Sequence, residues 1–374
     1  MKNRIPTLAV LAVASALVLT GCGAAEEPAG TGTGTTGVPS QAAIDEATSV
    51  VQPLLEGPTE FAFTEPLESL PTGARVAIID CGTPICALMA DLTEEPAALL
   101  GMSLTRIQAG TTADSVAAAF DTIIADGYDG VFVPALPFQL WERSFEQLRA
   151  AGIAVSTNGV LGMPEDFEAD LAGEQWSITV GGWLGDWVVS QGPAAAETVI
   201  YRTPELAFTD VIVDAYRDRV AALCAQCVVR TVDIPASAIG STAAAMIVDD
   251  LTAHPETTFA VLSIGEQATG LPTALDVAGI TTPITMYGAG PAQAIDIQNG
   301  DLHSALAIDT PALVWMFVDS GARQIVDQEL SVGAVEDAMI AQIITAGNLS
   351  GDLSLGWVGY PDIADRFAEL WGVK

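Results

Sequence analysis

The 374-residue sequence predicts an α/β protein built as two doubly wound, parallel-sheet lobes. Three observations carry this. Short apolar runs alternate with stretches of helical periodicity, and the alternation forms two successive series. Half of the residues are hydrophobic, yet after residue 22 no apolar run approaches the roughly 20 residues of a membrane span. That apolar content must be buried in sheets covered on both faces.

The chain opens with Lys2 and Arg4, an apolar stretch over 5–19, and Leu19-Thr20-Gly21-Cys22. A charged start, a short apolar segment and small residues at the cut read as a secretory signal peptide over 1–21. The tetrapeptide resembles the lipobox of bacterial lipoproteins. The resemblance implies that Cys22 becomes a lipid-bearing N-terminus, anchoring the protein to the outer face of the cell membrane. Residues 23–40 are Gly, Ala, Thr, Pro and Glu without apolar periodicity, which suits a flexible tether. An amphipathic stretch with Ile44, Val50, Val51, Leu54 and Leu55 follows, so 22–71 is expected to be linker plus a helical segment.

The first series has strands over 75–80, 104–108, 130–133 and 153–156, alternating with helices over 85–100, 114–125 and 141–150. The second has strands at 198–201, 228–232, 259–262 and 284–287, with helices at 208–222, 243–251 and 273–277. In open parallel sheets ligands bind beyond the carboxyl ends of the strands. That rule selects the loops 81–84, 134–138, 157–159, 202–208, 265–267 and 288–291. Their candidate ligand contacts are Thr83, Phe138, Asn158, Arg202, Phe208, Glu266, Gln267 and Gly290.

Acidic residues outnumber basic ones 47 to 13. Such a charge repels nucleic acid and anionic lipid, so neither is an expected ligand. Lysine occurs only at Lys2 and Lys374, which argues against lysine chemistry in the folded body. The two histidines, His254 and His303, are far apart, so neither a catalytic triad nor a metal cluster is expected. No cofactor motif occurs. Apart from Cys22 the cysteines form two close pairs, Cys81/Cys86 and Cys224/Cys227. Four cysteines permit three pairings, and export favours oxidation. Local bridges are expected, since the pairs belong to different lobes. Cys224-Ala-Gln-Cys227 follows a helix rather than opening one, unlike a thioredoxin-type redox motif.

Several segments together resemble the type I periplasmic solute-binding proteins of sugar importers, the ribose- and galactose-binding kind. They are the strand at 76–80, the strand after "IIADGYDG", "LRAAGIAVSTN" at 148–158, "ITMYGAG" at 284–290 and "IQNGDLHSALAIDTPALVWMFVD" at 297–319. The resemblance spans about 72–374. It implies a monomer of two lobes joined by a three-strand hinge, closing on a small solute and delivering it to an ABC permease of the membrane. Some relatives instead present their closed form to a signalling partner. No enzymatic activity, cofactor or metal is implied. Crossings are expected near 177–181, 305–310 and 335–350. The lobes are then 72–178 plus 309–335, and 179–308 plus 336–374.

The family's sugar-reading groups are thinned out here. Asn158-Gly159 stands where ribose binders carry Asp-Arg, and Gly288-Ala289-Gly290 lacks the family's carboxylate. A buried hydroxyl without a partner costs about 1–3 kcal/mol, so a less hydroxylated solute is expected. The family's polar hinge residue maps to Asp309 or Ile308; ahead of Pro311, Asp309 also suits a helix N-cap. Trp183 and Trp187 lie one helical turn apart, with Trp183 the expected ligand contact and Trp187 core.

Overall fold

The computed structural model describes residues 37–373 except 59, 81, 83, 111, 165, 336 and 337. The order is α1 (Gln41–Glu56), β1 (Arg75–Asp80), α2 (Pro84–Leu99), β2 (Ser103–Gln108), α3 (Ala113–Asp126), β3 (Gly130–Pro134), α4 (Glu142–Ala151), β4 (Ala154–Asn158) and β5 (Asp170–Leu171). It continues with α5 (Glu174–Ser190), β6 (Glu197–Arg202), α6 (Ala207–Leu223), β7 (Val228–Asp233), α7 (Ala243–Ala253), β8 (Phe259–Leu262), α8 (Leu271–Ala278), β9 (Ile284–Met286) and α9 (Pro291–Asn299). It ends with β10 (Ser304–Ile308), α10 (Thr310–Ile325), α11 (Val332–Val335), β11 (Ala341–Thr345) and α12 (Ile363–Leu370).

Two parallel sheets result, ordered β2-β1-β3-β4-β5 and β7-β6-β8-β9. This is the two-lobe fold of type I periplasmic binding proteins. In each sheet the inner strands are apolar and buried on both faces, as β1, β3, β6 and β8 show. The edge strands β2 and β7 are largely exposed. On one face of the first sheet, Val116, Phe120 and Ile123 of α3 and Phe145 and Leu148 of α4 pack on Ile79, Val131 and Val133. The opposite face receives α2 and α10. The second sheet is covered by α5 and α6 on one side and by α7, α8 and α9 on the other.

Helical spacing was expected only from Trp183 to Trp187; α5 starts earlier, at Glu174, and includes the expected crossing at 177–181. Its Gly181, Gly182 and Gly185 look like helix breakers, since each Gly costs about 1 kcal/mol in a helix. Two of them serve packing. A Cβ on Gly181 would collide with the Ile212 carbonyl oxygen of α6, and one on Gly185 would stand 3.0 Å from Arg219 Cβ.

The first crossing lies at 172–173, earlier than the expected 177–181, which are helical. Ala172 takes a left-handed φ of 52° there. The second crossing runs from β10 into α10. The third returns to β11, which pairs antiparallel with β10 from Ser304↔Thr345 to Ile308↔Ala341. A Tyr287↔Leu306 bridge joins β10 to the end of β9. One further segment differs from expectation. Residues 363–370, expected with the second lobe, form α12 and pack on α10 beside the first sheet. The helical segment expected within 22–71 is α1, which packs on α5 and β11.

Cys224 and Cys227 form a disulfide, as the local pairing anticipates. The second expected bridge differs in standing, because Cys81 lies outside the described residues and the Cys81–Cys86 pairing falls outside with it. Cys86 itself sits in the first turn of α2, fully buried, with its Sγ 4.0 Å from the Pro134 carbonyl at the end of β3. That contact seats the start of α2 against the neighbouring strand. Thr83 and the whole segment 1–36, with Cys22 and the signal sequence, also lie outside the described residues. No described helix is long and apolar enough to cross a membrane.

Candidate functional site

The strand order places the topological switch points between β1 and β3 and between β6 and β8. At such points neighbouring loops diverge to opposite faces and leave a crevice at the carboxyl ends.

At the first-lobe edge, Asn158 ends β4 and is 6 % exposed. Its Nδ2 donates to Leu171 O at 3.4 Å, and its own carbonyl accepts from Ala135 N at 2.7 Å. Ala135 carries a left-handed φ of 49°. Strain of this kind in a non-glycine residue costs of order 1–2 kcal/mol and tends to mark functional edges. Asp80, which sequence reasoning passed over, ends β1 and is buried. It accepts from Gly82 N at 2.8 Å and Gln108 Nε2 at 2.7 Å. Its position at the end of a fully apolar strand was the available signal.

At the second-lobe edge, Gln267 is fully buried, and its Nε2 donates to Thr203 Oγ1 at 3.0 Å, tying the loops after β8 and β6 together. Gln267 Oε1 and the neighbouring Ser263 Oγ are buried without a hydrogen-bond partner. Buried polar atoms are nearly always paired, so two orphans at one switch point are notable. Ser263 was also missed. Glu266 is exposed, and Gly290 caps α9 ahead of Pro291. Gly265 is required because a Cβ there would strike the Gly288 carbonyl, so the loops after β8 and β9 touch.

Aromatic groups cluster just past the first crossing. Trp176 Nε1 donates to Tyr287 Oη at 2.8 Å, and Trp176 meets Trp183 edge-on at 5.5 Å. Trp183, Phe208, Tyr287 and Ile308 are partly exposed and pack on the same core cluster. Trp187 is core, as expected, and its Nε1 donates to Ser304 Oγ at 2.8 Å.

Three candidates are held elsewhere. Phe138 is buried in its own lobe, edge-on to Trp141 at 5.2 Å and Phe145 at 5.6 Å. Arg202 turns toward the edge strand, with Nε and Nη2 bidentate on Asp233 at 2.8 and 2.9 Å and Nη1 on Asp210 at 3.0 Å. With Asp214, Arg217 and Thr231 these groups line a surface groove of about 530 Å³. Asp309 is 1 % exposed. Its Oδ1 accepts from Ala312 N at 2.9 Å, and its Oδ2 from Gly359 N at 2.8 Å and Tyr360 N at 3.0 Å. Burial pushes its pKa up, against the three amides that favour the charge.

Among the described residues, no cluster of His, Cys, Asp or Glu has the makings of a metal site. No protein-family model matches the sequence. No curated protein matches it either. Solved structures do share the fold. A 5-methylthioribose transporter solute-binding protein from Thermotoga lettingae, in complex with 5-methylthioribose, superimposes with a TM-score of 0.65 at 13% identity, over 82% of this chain and 99% of that one. The Caulobacter myo-inositol binding protein, bound to myo-inositol, gives 0.64 at 19% identity, over 76% and 96%. A chain of a XylFII–LytSN complex gives 0.62 at 13% identity, over 74% and 100%.

Proposed function

We propose that this protein is an extracytoplasmic solute receptor of an ABC importer, held to the membrane by lipid on Cys22. It captures a small organic solute between its lobes by hinge closure and performs no chemistry on it. The observation that carries the reading is the repeated strand order, 2-1-3-4 in one sheet and its equivalent in the other, joined through the antiparallel β10–β11 pair. Solute-binding proteins with bound 5-methylthioribose and myo-inositol share that architecture.

The solute carries few hydroxyls and one apolar face. In support, Asp309 and Arg202 have their polar atoms committed within the protein, while Trp183, Phe208 and Tyr287 leave aromatic surface partly exposed. Aromatic faces suit the apolar side of a ligand. Asn158 contributes from the first lobe, and Ser263, Gln267, Glu266 and the Gly290 backbone from the second. A second reading, a sensor that presents its closed form to a membrane signalling protein, draws support from the XylFII–LytSN neighbour.

A thermal-shift panel tests the binding role. It should contain 5-methylthioribose, myo-inositol, D-allose, aromatic acids and terpenoid acids. A true ligand at 100 times its Kd stabilises by roughly 2.7 kcal/mol. Stabilisation by a thioether sugar or an acid, but by no free hexose, is expected. Tight binding of D-allose would remove the few-hydroxyl half of the reading.

A further inference from the structure

The N-terminal segment is fastened to both lobes. On the second lobe, Gly37 N donates to Gln226 O at 3.3 Å inside the loop closed by the Cys224–Cys227 disulfide, and Cys227 Sγ lies 3.3 Å from Gly37 O. Any side chain at Gly37 would run into Gln226. Helix α1 then buries Ala43, Ala47 and Val51 in the cluster that includes α5, α6 and β11. Glu46 pairs with Arg219 at 3.1 Å. The Leu55 carbonyl accepts from Gln342 Nε2 at 2.9 Å and Asn348 Nδ2 at 3.0 Å, so the helix ends on the hinge strand β11 and the turn after it.

The next fastened carbonyl belongs to the first-lobe side. Glu60 O accepts from Tyr360 Oη at 2.6 Å. Phe61 and Phe63 pack on Phe367 at 5.5 and 5.7 Å. Leu67 N donates to Leu370 O at 3.1 Å, and Gln328 holds both Pro66 O at 2.9 Å and Glu68 N at 2.8 Å. Arg323 of α10, fully buried on Asp319, donates to Glu65 O. Asp319 in turn accepts from Trp371 Nε1 at 2.8 Å, which locks α12 to the same point.

We propose that residues 37–68 are an inter-lobe strap that limits how far the lobes move about the hinge and so sets the resting opening of the cleft. Leu55 and Glu60 are five residues apart, which caps their separation at about 18 Å at 3.6 Å per residue. Pro58 removes more of the slack by fixing its φ. The anchors resist release: one buries an apolar helix face, the other a ring cluster and the Glu65 carbonyl that the buried Arg323 guanidinium donates to. Leaving a buried charged donor without that acceptor is unfavourable. The strap also touches the pivot itself, since a Cβ at Gly57 (φ 83°) would press on Gln342 Oε1 of β11 at 3.1 Å. A lobe rotation that lengthens the Leu55–Glu60 span beyond its reach must undo one anchor.

The test lengthens the strap in the full, unliganded chain and reads the distance between lobes. Spin labels are carried on keto amino acids at Asp121 in α3 and Val277 in α8, leaving the cysteines untouched. One variant receives six Gly/Ser residues after Pro58. A second carries a protease site there and is cut only after folding, so its result does not depend on refolding. About twofold broadening of the inter-lobe distance distribution in both proteins is expected, since six residues add up to ~20 Å of slack. Superimposable distributions for parent, lengthened and cut proteins would overturn the strap.

Discussion

The Asp309 carboxylate accepts three backbone N–H groups, one from the start of α10 and two from residues 359–360. Asp309→Ala orphans all three. Loss of a cap costs about 0.5–2 kcal/mol, and each stranded buried donor adds of order 1–3 kcal/mol. A loss of at least about 2.5 kcal/mol in urea unfolding is expected; a loss under about 0.5 kcal/mol would return Asp309 to the candidate ligand contacts. Ser263 behaves in the opposite sense. Its buried Oγ has no partner, so Ser263→Ala should leave the unliganded protein as stable or more so, while weakening solute binding by about tenfold, or 1.4 kcal/mol. Unchanged affinity by calorimetry would remove Ser263 from the site. Arg202→Ala breaks a half-exposed ion-pair set, worth no more than about 1 kcal/mol, and affinity should stay within about twofold of the parent.

Helix α5 gives a test within one element. Gly181→Ala drives a methyl group into the Ile212 carbonyl and should cost about 1–3 kcal/mol through overpacking. Gly182→Ala meets nothing within 4 Å and should be neutral or stabilise by up to about 1 kcal/mol through helix propensity. Equal thermal midpoints for the two variants would show that α5 and α6 do not pack through these glycines. The same helix marks where sequence reading stops. The inner strands β1, β3, β6 and β8 announce themselves as apolar runs because both of their faces are buried. A helix that needs glycine for a close approach carries its reason in its partner, 30 residues further on. The hinge strand β11 falls within the crossing expected near 335–350, whereas the helix α12 was hidden for a similar cause: what it packs on is α10, remote in sequence. At the candidate site, the carboxyl-end rule selects loops from the sequence alone, and Asn158 and Gln267 stand buried at or just past strand ends there. Which side chains the fold would claim for itself, as with Phe138, Arg202 and Asp309, depends on distant partners such as Asp233 and Gly359.

At the scale of the whole molecule, the two sheets repeat one strand order, and the chain passes between them at 172–173, at 308–310 and again before β11. Such an arrangement binds by closure only where a solute prefers the closed state, since a ligand with equal affinity for both states shifts nothing. The proposed lipid attachment has its own test. Cys22→Ser should release the folded protein from the membrane fraction, and retention of the variant there would show another means of attachment. Small-angle scattering of the full protein, with and without the solute that raises its thermal midpoint most, reads lobe closure itself. A smaller radius of gyration on binding is expected, with saturation at the calorimetric stoichiometry of one. An unchanged radius at saturating solute would contradict capture by lobe closure.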